Sequence, residues 1–241
     1  MRVLILKKKT LIKIAACAMV LIAACIYIAC AAGDAATAFS DNGLVLTHVD
    51  DADSAVALTF DTAFGEDKTD EILEILKKKG AKATFAVMGK WAEENPQAVE
   101  NIIKDGHEVI SHSMTHERYD DMGAKKAVED AIAAREFLKL EHGVETDLIR
   151  MPYGAGSDTI TAALVESGFV PVGWSIDSQD WRSDGADAIA GRVLNNAKNG
   201  SIIVMQNNNE QTVEALEQII DGLYELNLEC VTISRLGGSS K

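Results

Sequence analysis

Cysteine is almost absent from the body of this chain. Cys17, Cys25 and Cys30 fall inside an apolar leader and Cys230 stands alone beyond it, so no disulfide can form within the folded domain. Proline is scarce, at 3 in 241 residues, and there is neither an internal repeat nor a low-complexity tract, which excludes a repeat array. With 47% apolar residues the chain can bury one sizeable core, and its length does not force a second domain. Basic charge is short as well. Setting aside the leader's five basic residues and one aspartate from totals of 23 and 37 leaves 18 against 36, a formal −18. Such a body is no partner for nucleic acid. The acidity itself reads either as a solvated surface or as a surface tuned to a cationic substrate or divalent ions.

What is present begins with the leader. Lys7, Lys8, Lys9 and Lys13 precede an uncharged run over residues 14–32, and small residues follow to position 38, the pattern of an export signal. Nineteen apolar residues lie between the core of a cleavable signal and a spanning helix of roughly 20 residues, and the length favours an uncleaved membrane anchor over residues 1–38. "ATA" at 36–38 offers a cleavage site. "IAAC" ending at Cys25 looks like a lipoprotein box, followed by an unsuitably apolar "IYIACAA". The folded body is then residues 39–241, exported and held at the outer face of the cytoplasmic membrane, or secreted if the leader is cut.

From residue 55 the body alternates strand-like and helical runs. "AVALTF" (55–60), "ATFAVM" (83–88), "HEVIS" (107–111), "DLIR" (147–150), "VPVGWSI" (170–176), "SIIVMQ" (201–206) and "ECVTIS" (229–234) read as strands. Between them lie helical patterns near 70–80, with Thr69 as cap and Gly80 as stop, at 95–106 behind Asn95 and Pro96, near 124–141, after Ser157, at 187–198 and at 212–226. Residues 41–54, rich in turn formers, predict a short hairpin leading into the first strand. Repeated βα units imply parallel strands with crossover helices, in an open doubly wound sheet or a barrel. Either way, ligand sites gather at the C-terminal ends of the strands.

Those ends carry Asp61 and Thr62, then His112 and His116, Arg150 to Tyr153, then Asp177, Asp180 and Trp181, and finally Gln206 to Asn209. Gathered on one rim, they would suit hydrolytic chemistry: imidazoles for a divalent metal, a carboxylate base and an arginine to orient it. Taken singly, each has a plainer reading: solvated loop histidines, an aspartate capping the next element, a surface arginine, a core tryptophan. The strand ends single out no pair of carboxylates, which disfavours a glycosidase.

The series "LTFD" (58–61), "SHSMTH" (111–116), "RMPYG" (150–154), "DSQDW" (177–181) and "SIIVMQ" (201–206) resembles the polysaccharide deacetylases with a NodB homology domain, carbohydrate esterase family four. "KATFAVMGKWAEENPQAV" and "DGHEVISHS" extend the likeness, which spans roughly residues 44–236. "VDDADSAVALTFDTAFGEDKT" looks most like the membrane-anchored, sporulation-associated bacterial branch. The resemblance implies a distorted (β/α) barrel and metal-dependent hydrolysis of N-acetyl groups from amino sugars of a cell-wall polysaccharide, peptidoglycan or chitooligosaccharide-like. It implies His112 and His116 as ligands of a divalent metal, zinc first, Asp61 as base and Arg150 as its partner. Tyr153 would offer its backbone N–H to the oxyanion, and Trp181 would form part of the sugar-binding wall.

Two positions depart from the family pattern. Thr62 stands where the resemblance places an aspartate as third metal ligand, a vacancy that Asp61, Glu66 or Asp67 could fill. Gln206 stands where it places a histidine acting as general acid, and an amide cannot deliver a proton. Asp177 matches the aspartate that would tune that histidine. It is left to hydrogen-bond Gln206 or to act as the acid itself. The sequence therefore supports two readings, a deacetylase and a catalytically silent sugar-binding relative.

Overall fold

Strand β1 (Ala55–Thr62) is the spine of the sheet, and its period of two sorts its side chains by size. Val56, Leu58 and Phe60 pack against the surrounding helices, while Ala55 and Ala57 face the narrow interior of a barrel. The computed structural model describes residues 43–65 and 67–238. The leader, its signal or anchor, and Glu66 lie outside the described residues. Among those described, no helix is long and apolar enough to cross a membrane.

Seven further strands complete the sheet: β2 (Thr84–Val87), β3 (Glu108–Ser111), β4 (Leu148–Ile149), β5 (Val170–Pro171), β6 (Ile176–Asp177), β7 (Ile202–Gln206) and β8 (Glu229–Val231). All pairings are parallel, in the order β5-β4-β3-β2-β1-β7-β6, with β8 beside the first half of β1. The helices are α1 (Thr69–Lys79), α2 (Gly89–Glu94), α3 (Pro96–Lys104), α4 (Tyr119–Met122), α5 (Ala124–His142), α6 (Asp158–Glu166), α7 (Ala186–Leu194), α8 (Glu210–Glu225) and α9 (Ile233–Gly237). The expected βα alternation is there, and it closes as a distorted barrel with β5 and β6 at its two open edges.

The predicted hairpin is not. Leu46 bridges Val172 in parallel and His48 bridges Ser201 antiparallel, so this segment runs from the end of β5 to the start of β7 instead of folding on itself. The unpaired edges there hold backbone groups that need partners, and the segment supplies them. "VPVGWSI" is also not one strand. It breaks between β5 and β6, where the Gly173 carbonyl accepts from Arg150 Nη2 at 3.1 Å. "ECVTIS" stops at Val231, because the Thr232 hydroxyl accepts the Arg235 N–H and starts α9. Likewise Thr69 is the first residue of α1 and not its cap; Lys68 stands at the cap position, and Asp67 Oδ1, one residue earlier, accepts the Thr69 N–H at 3.0 Å.

Below the rim, His107 spends its Nδ1 as acceptor for the Ala83 N–H at 3.2 Å. Burial, aided by Lys82, lowers its pKa to about 4, beneath the ordinary histidine value of 6.5. The unfolded chain therefore binds this proton more readily. The histidine's contribution to stability is intact above about pH 6.5 and is lost as pH falls toward 4. His107→Asn, which keeps an acceptor for Ala83, is expected to flatten urea-denaturation stability against pH in that window by up to about 1.4 kcal/mol per pH unit. An unchanged slope would show that this ring does not titrate with folding.

Candidate active site

The registers decide which residues face the barrel interior at the rim. Asp61 pairs with Ala86, Ala86 with Ile110 and Asp61 with Gln206, while Ala86, Ile110 and Ile202 line the interior. Alternation then turns Asp61, His112, Arg150, Asp177 and Gln206 inward at the C-terminal edge.

Arg150 is fully buried. Its Nη1 donates to Thr59 Oγ1 at 2.7 Å and to Asp61 Oδ1 at 2.8 Å, and its guanidinium lies 5.6 Å from the Trp174 ring. The Thr59 hydroxyl donates onward to the Ile203 carbonyl at 2.7 Å. One oxygen of Asp61 is thus committed to Arg150, and the other lies 3.8 Å from His112 Nε2. His112 Nδ1 is 2.9 Å from the Arg150 carbonyl, which makes it the N–H of that ring and leaves Nε2 as a lone pair. That lone pair faces His116 Nε2 at 3.1 Å. Burial lowers the pKa of both rings, His116 to about 4, so both are neutral near pH 7.

Two neutral imidazole nitrogens 3.1 Å apart suit a divalent cation. Donors about 2.0–2.1 Å from a tetrahedral ion stand roughly 3.3 Å from one another. Among the described residues, however, no group of three or more His, Cys, Asp or Glu side chains is arranged to hold a metal. Thr62 shares the strand face of Val87 and Phe60, opposite to Asp61, and its hydroxyl lies 3.4 Å from the Phe60 carbonyl. Asp67 is also turned elsewhere, accepting from Thr69 and Asn207.

Tyr153 sits in a tight turn (Pro152–Gly154) at φ 59°, its exposed ring 4.7 Å from that of His116. Trp181 is 63% exposed, so it is no core residue. Left-handed backbone at Ser113, His116, Tyr153, Gln179 and Ser183 concentrates strain in these rim loops. The expected hydrogen bond between Asp177 and Gln206 is absent among the described residues. Asp177 Oδ1 instead accepts the N–H of Gln179 two residues on, at 2.8 Å. Burial raises the Asp177 pKa, and the charge of Asp61 adds to the effect.

Two participants, Phe64 and Asp130, escape sequence reasoning, and a third, Asp180, stands among the strand-end residues without an assigned role. Asp180 Oδ2 accepts the Gln206 N–H at 2.7 Å and the Thr212 hydroxyl at 2.6 Å, tying the Trp181 turn to β7 and α8. Phe64, exposed in the loop after β1, meets the His116 ring edge-on at 5.1 Å. Asp130 holds the histidine loop from α5. It lies on the helix face of Ala127, Ala131, Ala134 and Leu138, and a charge on an apolar stripe is the signal that could have revealed it.

A parallel, incompletely closed barrel with a buried aspartate–arginine pair and two neutral imidazoles at its rim has the layout of a (β/α)-barrel hydrolase. The chain belongs to the polysaccharide deacetylase family, whose model matches residues 48–172. It is 31% identical over 199 residues to a peptidoglycan-N-acetylglucosamine deacetylase of Bacillus cereus, covering 80% of this chain and 93% of that protein. Among solved structures, the Bc1960 peptidoglycan N-acetylglucosamine deacetylase superposes with a TM-score of 0.77 at 30% identity, over 82% of this chain and 94% of that one. BA3943 from Bacillus anthracis, a family-four pseudoenzyme, gives 0.72 at 27% identity, over 76% of this chain and 65% of that one. A BA3943 mutant with restored enzymatic activity also gives 0.72.

Proposed function

We propose that the protein is an exported, membrane-anchored, metal-dependent deacetylase that hydrolyses N-acetyl groups on an amino sugar of a cell-wall polysaccharide, peptidoglycan or chitooligosaccharide-like. The observation that carries this reading is the convergence of Asp61 with His112 and His116 beside a fully buried Arg150. His112 and His116 would hold a divalent ion, zinc first, which would supply positive charge for the amide oxygen and acidify water. Asp61, fixed by Arg150, takes the proton of the attacking water. The Tyr153 backbone N–H serves the developing oxyanion, and the Trp181 ring offers an apolar wall to the sugar. With glutamine at 206 the departing amine lacks an imidazole acid, and Asp177, whose pKa burial raises, would stand in only as a poorer proton source.

Thr62 and Gln206 favour a second reading, a silent sugar-binding relative, and the likeness to a pseudoenzyme supports it. The two separate when the purified full chain is titrated with zinc and assayed for acetate release from peptidoglycan and N-acetylglucosamine oligomers. We expect one tightly bound zinc, lost in the His112→Ala, His116→Ala double variant, together with measurable acetate. Zinc without acetate selects the silent reading, and unchanged zinc in the double variant refutes the histidine site.

A further inference from the structure

The loop from His112 to Arg118 places His116, and its backbone must adopt strained conformations to do so. Ser113 at φ 72° and His116 at φ 59° are both left-handed, a state that costs a non-glycine residue on the order of 1 kcal/mol or more and persists only where the surroundings over-determine it. Part of the constraint is internal, since Ser113 Oγ accepts the N–H groups of Thr115 at 3.1 Å and His116 at 2.9 Å. Helix α2 grips one side: the Gly89 N–H donates to the Ser113 carbonyl and the Lys90 N–H to the Met114 carbonyl, each at 3.0 Å. A Cβ at position 89 would come within 3.3 Å of Met114 Cα and still closer to its sulfur, so the absence of a side chain eases this approach.

The opposite side is held by Asp130. Its carboxylate is buried on the apolar face of α5, and no cation lies within ion-pair distance of it among the described residues. What compensates the burial is the loop itself. Oδ2 accepts the Met114 N–H at 3.0 Å and the Tyr119 hydroxyl at 3.0 Å, and Oδ1 accepts the Thr115 hydroxyl at 3.1 Å. Tyr119 is fully buried, and burial together with this carboxylate keeps its phenol protonated as a donor. Three donors, two from the loop and one from the first residue of α4, thus converge on one carboxylate, which leaves the chain between Met114 and Tyr119 little freedom to turn.

We propose that Asp130 is a positioning residue for His116, holding its imidazole beside that of His112 through hydrogen bonds to Met114, Thr115 and Tyr119. The consequence for metal rests on the histidine pair being the cation site proposed above. The geometric part does not. Asp130 touches neither imidazole, and its effect passes entirely through the loop.

The test uses the full chain and two readouts. Without metal, hydrogen exchange at the Met114 and His116 amides is expected to speed up at least tenfold in Asp130→Ala, while amides of the α8 core face, such as Ile219, stay protected. With zinc, Asp130→Ala is expected to bind about 10- to 100-fold more weakly, the usual range for a residue that orients a ligand from behind. Asp130→Asn keeps acceptor and donor atoms in the same places, since the Thr115 hydroxyl can turn to accept, and should restore both readouts to within a few-fold. If Asp130→Ala does not fold, Tyr119→Phe carries the test by removing one of the three donors, with faster Met114 exchange as the expected result. Unchanged exchange in the folded variants overturns the proposal. So does unchanged zinc affinity in a chain that binds zinc. A wild-type chain that binds no zinc defeats the metal site alone, and the exchange result then decides the role of Asp130.

Discussion

Asp61→Asn is expected to lower acetate release by about 10²–10⁴-fold, the contribution of a general base placed within reach of its proton. The substitution is close to isosteric. The asparagine oxygen can keep the bond to Arg150 Nη1 that Asp61 Oδ1 accepts at 2.8 Å, so the rim should hold its shape while its amide nitrogen faces His112. What disappears is the negative charge and the capacity to take a proton. The buried guanidinium would also lose the one carboxylate that pairs with it among the described residues. For a fully enclosed pair that costs about 3–5 kcal/mol, and less here because Asp61 keeps some contact with solvent. The assay should therefore be run well below the melting temperature, with folding checked by circular dichroism and zinc counted in the same sample. A folded variant that keeps its zinc and loses its rate makes Asp61 the base. Zinc and rate falling together would make Asp61 a ligand instead, through the oxygen that now lies 3.8 Å from His112. An undiminished rate would remove Asp61 from the chemistry.

How much of this could be read from the chain follows from what periodicity measures. Each buried strand is an apolar run closed by a polar residue, as in Phe60 followed by Asp61, or Ile110 and Ser111 followed by His112. The strands and the rim residues follow from that pattern, and their parallel direction from the helices that alternate with them. Closure does not: a parallel alternation serves an open sheet as well as a barrel, and the barrel was implied by the motifs alone. The segment at 43–54 carries turn formers, but its partners are 126 residues away at Val172 for Leu46 and 153 away at Ser201 for His48, and no local pattern encodes such pairings. The break inside "VPVGWSI" is likewise tertiary, since the Gly173 carbonyl goes to a guanidinium delivered by β4.

Side-chain direction was the least legible part of the site. Thr62 follows Asp61 immediately, and because a strand turns successive residues to opposite faces, sequence adjacency separates them instead of joining them. Asp67 is near enough in sequence to fill a ligand vacancy, yet the Thr69 N–H at the start of α1 satisfies it first. Asp177 next to a vacant histidine position suggests a bond to Gln206, but the N–H two residues on is a nearer partner and needs no second strand. For Asp67 and Asp177 a local hydrogen bond wins over a longer reach toward the centre of the site.

Gln206→His is expected to raise acetate release by about 10²–10⁴-fold, the mirror image of losing a general acid. Position 206 is prepared for it. The residue pairs in register with Asp61 on the neighbouring strand, its side chain shares the interior face of Ile202, and its N–H is pinned by Asp180 Oδ2 at 2.7 Å. Asp177 stands on the adjacent strand opposite Val204, one diagonal step from 206, with a carboxylate able to orient an imidazole and raise its pKa. The rate gain should therefore come with a new limb in the pH profile. Activity that depends on imidazolium must fall as pH rises past a pKa somewhat above 6.5, a decline that the wild-type glutamine cannot produce. Combining the two substitutions sharpens the test, because Gln206→His can act only on a path that Asp61 begins. The double variant with Asp61→Asn should fall back to the rate of Asp61→Asn alone, within about tenfold. A histidine at 206 that leaves both rate and pH profile unchanged, in a chain carrying zinc, would mean that the missing acid is not what limits this site, and the silent sugar-binding reading would stand.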